Sequence, residues 1–376
     1  VWHDKFGFLA QKVLEENGIR VITQNTISEL KLKNGEITAL ILRDGTEVKA
    51  DYLIMGIGGR PNTHLLANKG AAHLPNGAVL VNEKMETSLP DIYAAGDCAS
   101  IRNIQTGEHD YFPMGTHSNK GGRAAGANAA GGNETFAGAY KTAIVKVFEY
   151  TLGRTGMNPA YMDKRGIPYG STFFVAPATP SFYPDSKDLV IEIYYDPESR
   201  KLLGAEIFGE KGVDKRTDVL STAIYANLTI DDLPNLDLAY APPYSPAKDA
   251  VVLAGYLSQN KLKAGFNEID VISLKERLES SQNGFRLLDV RNPDELEKEG
   301  MIPGAENIEL DELRGYLGDF NADQETIIYC AKGLRGYLAT MILLHHGIKD
   351  VKNLGGGFKA WKLLAANHKK ESALIG

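Results

Sequence analysis

Tyr329-Cys330-Ala331-Lys332-Gly333-Leu334-Arg335 sets a lone cysteine between a strand and a helix. The run before it, Glu325-Thr326-Ile327-Ile328-Tyr329, is rich in strand formers; after it, Leu334, Leu338, Met341 and Ile342 recur at helical spacing. Cys330 therefore falls at the mouth of a short loop whose backbone N–H groups converge ahead of a helix. The positive end of that helix and the cations Lys332 and Arg335 would favour a thiolate. Gly333 would let the loop curl around the sulfur with no side chain in the way. The expected chemistry is that of a nucleophilic sulfur. The competing reading, a small buried hydrophobe at a strand end, is the commonest fate of a free cysteine but explains neither the glycine nor the cations.

A second candidate lies at Asp97, where Ile92-Tyr93-Ala94-Ala95-Gly96-Asp97 brings a carboxylate to a strand end just after a glycine. A short acidic side chain there can accept hydrogen bonds from a polyol, and Gly96 permits close approach of a ligand. On the residues alone, Asp97 could equally cap a helix or hold a turn. The glycine run Gly56-Ile57-Gly58-Gly59 continues into Arg60-Pro61 and opens no helix, so it is not a dinucleotide fingerprint.

Phe6, Leu9, Ala10, Val13 and Leu14 give an amphipathic first helix, stopped by Asn17-Gly18, which is no signal peptide. Ile19–Thr23 reads as a strand. Asn34-Gly35 predicts a hairpin between 27–33 and 37–43. Asp51–Met55 reads as a buried strand and Gly77–Val81 as another. Leu189–Tyr195 and Leu202–Phe208 alternate as strands before a helix near Asp218–Ala226, and Ser258–Phe266 is a polar connector. The 376 residues suffice for two or three domains, and 43% hydrophobic with 24% charged residues is ordinary for a globular protein. A net charge of -7 argues against a nucleic-acid partner, and no apolar run approaches the roughly 20 residues a bilayer demands. Cys98 and Cys330 cannot form a disulfide framework and no metal-ligand spacing exists, so a reducing, cytoplasmic setting is expected.

Around the cysteine, Leu287-Leu288-Asp289-Val290-Arg291, Gly300–Ile308, the loop itself, Leu354–Phe358 and Trp361 resemble the rhodanese family. The resemblance implies an α/β domain in which Cys330 takes up a sulfane sulfur as a persulfide and passes it to a thiol. Met301 departs from it, standing where the family usually has histidine. Thr87-x4-Ile92 to Asp97 resembles the second flavin motif of the two-dinucleotide-binding disulfide reductases, which implies that Asp97 binds the FAD ribityl chain. Arg60-Pro61-Asn62 resembles their return from the NAD(P)H domain to the FAD domain. Gly115–Gly126 is similar to the helix that begins beside the flavin ring, so Gly96, Asp97, Gly115 and Asn119 are the implied cofactor-binding residues. Cys98 lacks a nearby partner and reads as packing.

Residues 140–255 resemble the dimerisation domain of the same reductases. Gly212–Val219 and Leu238–Ser245 narrow the resemblance to coenzyme A-disulfide and persulfide reductases, where Tyr240 would reach a partner subunit's cysteine. Tyr183, in Phe182-Tyr183-Pro184, stands where that group shows a tyrosine pair.

The implied architecture is a remnant of Rossmann-like domains followed by α+β and α/β domains. Its parts are an NAD(P)H-domain portion (1–58), an FAD-domain portion (59–138), a dimerisation domain (139–256), a linker (257–267) and a rhodanese domain (268–376). The family's first flavin motif, redox cysteine and NAD(P)H motif are not found, so the chain is expected to be a C-terminal portion or one piece of a split enzyme. The implied cofactors are FAD, NAD(P)H and coenzyme A, and the implied assembly is a homodimer. Two alternatives stay open: a flavoprotein NADH oxidase with an accessory rhodanese domain, and a non-catalytic sulfur-binding module.

Overall fold

The computed structural model describes residues 2–264, 267–280 and 284–365, so the end of the expected connector at Gly265 and Phe266 lies outside the described residues. The first helix, α1 (Asp4–Glu16), follows its apolar period and buries Phe6, Leu9 and Val13. Residues 1–13 and 141–376 form one compact unit, and residues 14–140 another.

In the unit 14–140, β1 (Ile27–Lys33), β2 (Glu36–Leu42) and β3 (Glu47–Lys49) make an antiparallel meander. Asn34 and Gly35, at φ 55° and 85°, form the tight turn that their residue types demand. Asp51–Met55 is not the buried strand its composition suggests: Tyr52 and Ile54 are 90% and 94% exposed. An apolar strand is held by ladders on its edges and layers on its faces, and among the described residues no strand pairs with this one. Ile19–Thr23 and Gly77–Val81 also stay irregular, with Val79 making only isolated bridges to His73 and Ala99. A short α2 (His64–Ala67), the strand pair β4 (Ile101–Arg102) and β5 (His109–Asp110), and α3 (Gly115–Ala129) complete the unit. Its core is Val79, Val81, Met85, Ala94, Ala99 and Ala124.

The other unit holds two sheets. The first is antiparallel, from β6 (Ala143–Val147), β7 (Tyr150–Gly156), β8 (Gly170–Pro177), β9 (Asp188–Tyr195) and β10 (Leu202–Gly209), in the order β6-β7-β10-β9-β8. It carries α4 (Pro159–Arg165), α5 (Val213–Tyr225) and α6 (Ala250–Ala264). Residues 258–264, expected as a connector, continue α6; Ser258 is fully buried against Thr172 at 2.7 Å.

The second sheet is wholly parallel. Its strands are β11 (Asn267–Ile269), β12 (Arg286–Asp289), β13 (Glu306–Asn307), β14 (Thr326–Tyr329) and β15 (Val351–Leu354), in the order β11-β15-β14-β12-β13. Helices α7 (Val271–Glu279), α8 (Pro293–Glu299) and α9 (Leu334–His345) cross over between strands, and α10 (Gly357–Leu364) follows β15. Alternation along β14 sends Ile327 and Tyr329 into one core, and Ile328 with the following Cys330 into the other. The first of these cores runs on into Leu152, Val175, Val190 and Phe208 of the antiparallel sheet and into α1.

One ion cluster fastens the start of β14. Glu325 takes both arms of Arg277 at 2.7 and 2.5 Å and the Lys352 ammonium at 2.6 Å. The Arg277 hydrogen bonds, with Lys352 behind them, pull its carboxyl down to about 2 from 4.5. A depressed carboxylate stabilises the fold above its unfolded value and loses that contribution as pH falls through the folded one. Glu325→Gln should therefore lower stability near neutrality by about 1–3 kcal/mol, a difference shrinking between pH 4.5 and 2. Urea titration across that range reads it; a pH-independent difference would contradict the ion-pair account.

Candidate active site at the Cys330 loop

Open parallel sheets present ligands at the carboxyl ends of their strands. Cys330 stands there, after the central strand β14, with β15 and β12 on either side. The thiol is nearly enclosed, at 2% exposure. Gly333, at φ 114°, folds the loop back so that its N–H donates to Cys330 Sγ at 3.2 Å. A side chain at that φ is strained, which is why this position calls for glycine. The loop is anchored from beneath by α10, whose Phe358 and Lys359 N–H groups donate to the carbonyls of Cys330 (2.8 Å) and Ala331 (3.0 Å). Gly357 permits that approach, because a Cβ there would sit 2.3 Å from the Cys330 carbonyl oxygen.

The two cations expected to face the sulfur divide. Arg335, in the first turn of α9, is gripped by both oxygens of Glu295 at 2.6 and 2.7 Å and touches Asn292 at 3.2 Å. The Glu295 hydrogen bond raises the Arg335 pKa, with Cys330 adding a smaller push in the same direction, and Arg335 in turn holds Glu295 below its usual value. Lys332 instead reaches Asp188 at the start of β9, 2.6 Å away. The structure thus brings together Cys330, Gly333 and Arg335, while the Lys332 ammonium joins the loop to the antiparallel sheet. Sequence reasoning missed Glu295; its signal is the capping box Asn292-Pro293-Asp294-Glu295 that starts α8.

Tyr240 is 54% exposed, in a turn whose Ala239 carbonyl accepts from Lys215 Nζ (3.4 Å) and Ser245 Oγ (3.2 Å). The neighbouring Arg216 is buried on Asp249 at 2.8 Å, so Gly212–Val219 serves to fix this corner. Tyr183 is half-buried in the β8–β9 connection.

In the unit 14–140, Asp97 lies ahead of α3 with its side chain exposed, and Ser118 Oγ donates to its Oδ1 at 2.9 Å. Tyr111 OH donates to the Asp97 carbonyl at 3.0 Å; burial, then the nearby Asp97 and Cys98, raise that phenol's pKa. Gly96 has φ 83°, Gly115 opens α3, and Asn119 is exposed one turn in. This cluster is a carboxylate at a helix start, suited to a hydroxylated chain. Cys98 donates to the Ala95 carbonyl, which fits a packing role. Both cysteines are free, and among the described residues no acidic, histidine and cysteine cluster could hold a metal.

Residues 3–112 match the pyridine nucleotide-disulphide oxidoreductase model, 142–251 the dimerisation domain of that family, and 270–364 the rhodanese-like domain. The chain belongs to the pyridine nucleotide-disulphide oxidoreductases and carries a rhodanese-like domain after the dimerisation domain. It is 34% identical over 224 residues to the NAD(P)H sulfur oxidoreductase (CoA-dependent) of Pyrococcus furiosus, covering 60% of this chain and 50% of that one. The reduced CoADR-RHD of Bacillus anthracis superposes with a TM-score of 0.87 at 35% identity. The NAD-dependent persulfide reductase of A. fulgidus gives 0.88 at 34%. Each covers 96% of this chain and 64% of the solved one. The chain spans about half the length of the curated relatives it matches.

Because Arg335 lies by the sulfur and Lys332 does not, the two should differ under alkylation at neutral pH. Arg335→Ala should slow iodoacetamide labelling of Cys330 by about 3- to 30-fold, and Lys332→Ala by less than about 2-fold. Equal effects would mean that Lys332 leaves Asp188 in solution.

Proposed function

We propose that this chain is the sulfur-delivering portion of an FAD-dependent NAD(P)H:coenzyme A-disulfide or persulfide reductase, with Cys330 as its persulfide carrier. The observation that carries the reading is Cys330 Sγ held by the Gly333 N–H at 3.2 Å, at the mouth of a helix. There the Cys330 thiolate attacks the outer sulfur of a donor such as thiosulfate. The donor's sulfur–sulfur bond breaks, sulfite leaves with the electron pair, and Cys330 becomes a persulfide. A thiolate or cyanide then attacks the outer sulfur and releases the Cys330 thiolate. Loop amides and the α9 terminus favour the negative charge on sulfur in both steps.

The names of the relatives support the reductive half, which NAD(P)H and FAD would supply by hydride transfer. Of the FAD site, Gly96, Asp97, Gly115 and Asn119 would hold the ribityl chain and the flavin end. A glycine-rich pyrophosphate loop is not among the described residues, so the fit is partial. Coenzyme A, as disulfide or persulfide, is the small-molecule partner. The dimerisation segment 142–251 would form a homodimer in which Tyr240 serves the neighbouring subunit. Joining the domains in one chain raises the local concentration of the sulfur donor at the reductase centre. Two free cysteines fit a reducing, cytoplasmic setting, and no described helix is long and apolar enough to cross a membrane. An NADH oxidase would leave the rhodanese-like domain without a task.

The purified chain, without flavin or nicotinamide, should transfer sulfur from thiosulfate to cyanide. Cys330→Ser should abolish turnover, Arg335→Ala should slow it by about 10- to 1000-fold, and Cys98→Ser should leave it intact. Turnover surviving in Cys330→Ser would refute the assignment. Light scattering at micromolar concentration should show a dimer; a monomer would count against the proposed assembly.

A further inference from the structure

Beneath the loop, β15 carries a buried amide that the sulfur chemistry above does not use. Asn353 is 4% exposed and points to the α9 face of the sheet, the side Val351 also takes, while Leu354 faces the opposite core. Its Nδ2 reaches the Gly333 carbonyl at 3.5 Å, while its Oδ1 has no hydrogen-bond partner among the described residues. Burying an amide with half its capacity unmet is costly on a core strand, where Leu or Val would pack without penalty. Space for it is made by Gly336: a Cβ there would lie 2.3 Å from Asn353 Oδ1. The unpaired oxygen lies against the first turn of α9, where the positive end of the helix accommodates it.

We infer that Asn353 is a positioning residue for Cys330, acting through Gly333. The Gly333 carbonyl is held from two sides, by the Tyr337 N–H (2.8 Å) that starts α9 and by Asn353 Nδ2 (3.5 Å). The same residue's N–H holds the sulfur at 3.2 Å. Gly333 has no side chain to stiffen it, so its φ of 114° is set by what grips its two peptides. Without Asn353 the carbonyl is held by the Tyr337 N–H alone, which loosens the Gly333 peptides and lets the N–H drift from the sulfur. Reversing the amide would bring Asn353 Oδ1 against the Gly333 oxygen, so the donor orientation is the one that binds. Asn353 and Gly336 work as a pair, one gripping and the other making room.

The inference rests on the sulfur-carrier reading of Cys330, and its test includes a readout that does not depend on that reading. Iodoacetamide labelling of Cys330, followed by peptide mass at fixed neutral pH, is measured alongside thiosulfate-to-cyanide turnover in the full chain. Asn353→Leu keeps the volume and removes the donor. Labelling should slow about 3- to 10-fold, and kcat should fall by a similar factor with KM for thiosulfate unchanged. Gly336→Ala, which displaces the amide without touching it chemically, should reproduce the effect. In Asn353→Ala the added Gly336→Ala should cost nothing more, the non-additivity expected of one shared contact. Wild-type labelling and turnover in Asn353→Leu, or additive losses in the double variant, would reduce Asn353 to a packing residue. Slower labelling in Asn353→Leu, together with a wild-type chain that transfers no sulfur, would uphold the positioning role and sink the sulfur-carrier reading instead.

Discussion

The loop that holds Cys330 depends on a guanidinium with no solvent exposure. Arg291 and Asp289 are both fully buried, paired through Nη2 at 2.7 Å and Nε at 3.1 Å. Arg291 also donates to the Gly300 carbonyl at 2.7 Å and lies 4.0 Å above the ring of Phe358. The Phe358 N–H in turn holds the Cys330 carbonyl, and Asn307 ties β13 to the carbonyls of Asp289 and Arg291. One ion pair therefore joins the ends of β12 and β13 to α10, the helix that anchors the cysteine loop. Breaking such a pair from one side strands a buried charge and costs about 3–5 kcal/mol, so its loss would unseat the loop before it altered any chemistry.

With that clamp in place, charge around the sulfur is arranged economically. Both loop cations are already committed, Lys332 to Asp188 and Arg335 to Glu295. The hydrogen bond to the sulfur itself comes from backbone, the Gly333 N–H just ahead of the first turn of α9. Oriented amides in an enclosed site need no reorganisation when negative charge develops on a sulfur. The Lys332–Asp188 pair and the core shared between β8, β9 and α10 tie the loop to the antiparallel sheet, so the rhodanese-like domain and the dimerisation segment belong to one compact unit.

How much of this was legible depended on range along the chain. The strand–loop–helix around Cys330, the Asn34-Gly35 hairpin and the α1 face are local patterns, and each formed as its periodicity implied. Asp188, Glu295 and Asn353 are separated from their loop partners by 144, 40 and 20 residues, and no local spacing announces them. Asp51–Met55 failed for the converse reason. Its apolar run states what a strand would bury but not whether neighbours exist to pair with it, and here Tyr52 and Ile54 stand in solvent. The polar 258–264 stretch misled in the same way: its Ser258 and Lys261 are satisfied by Thr172, the Ser171 carbonyl and Glu268, which allows α6 to run on.

Cys330, and not Cys98, is the cysteine we propose to receive a sulfane sulfur. Peptide mass analysis of the purified chain after brief exposure to thiosulfate tests it directly. One added sulfur is expected on the peptide containing Cys330, removed by cyanide, and none on the peptide containing Cys98. Added sulfur on Cys98, or an unmodified Cys330 in folded protein, would contradict it.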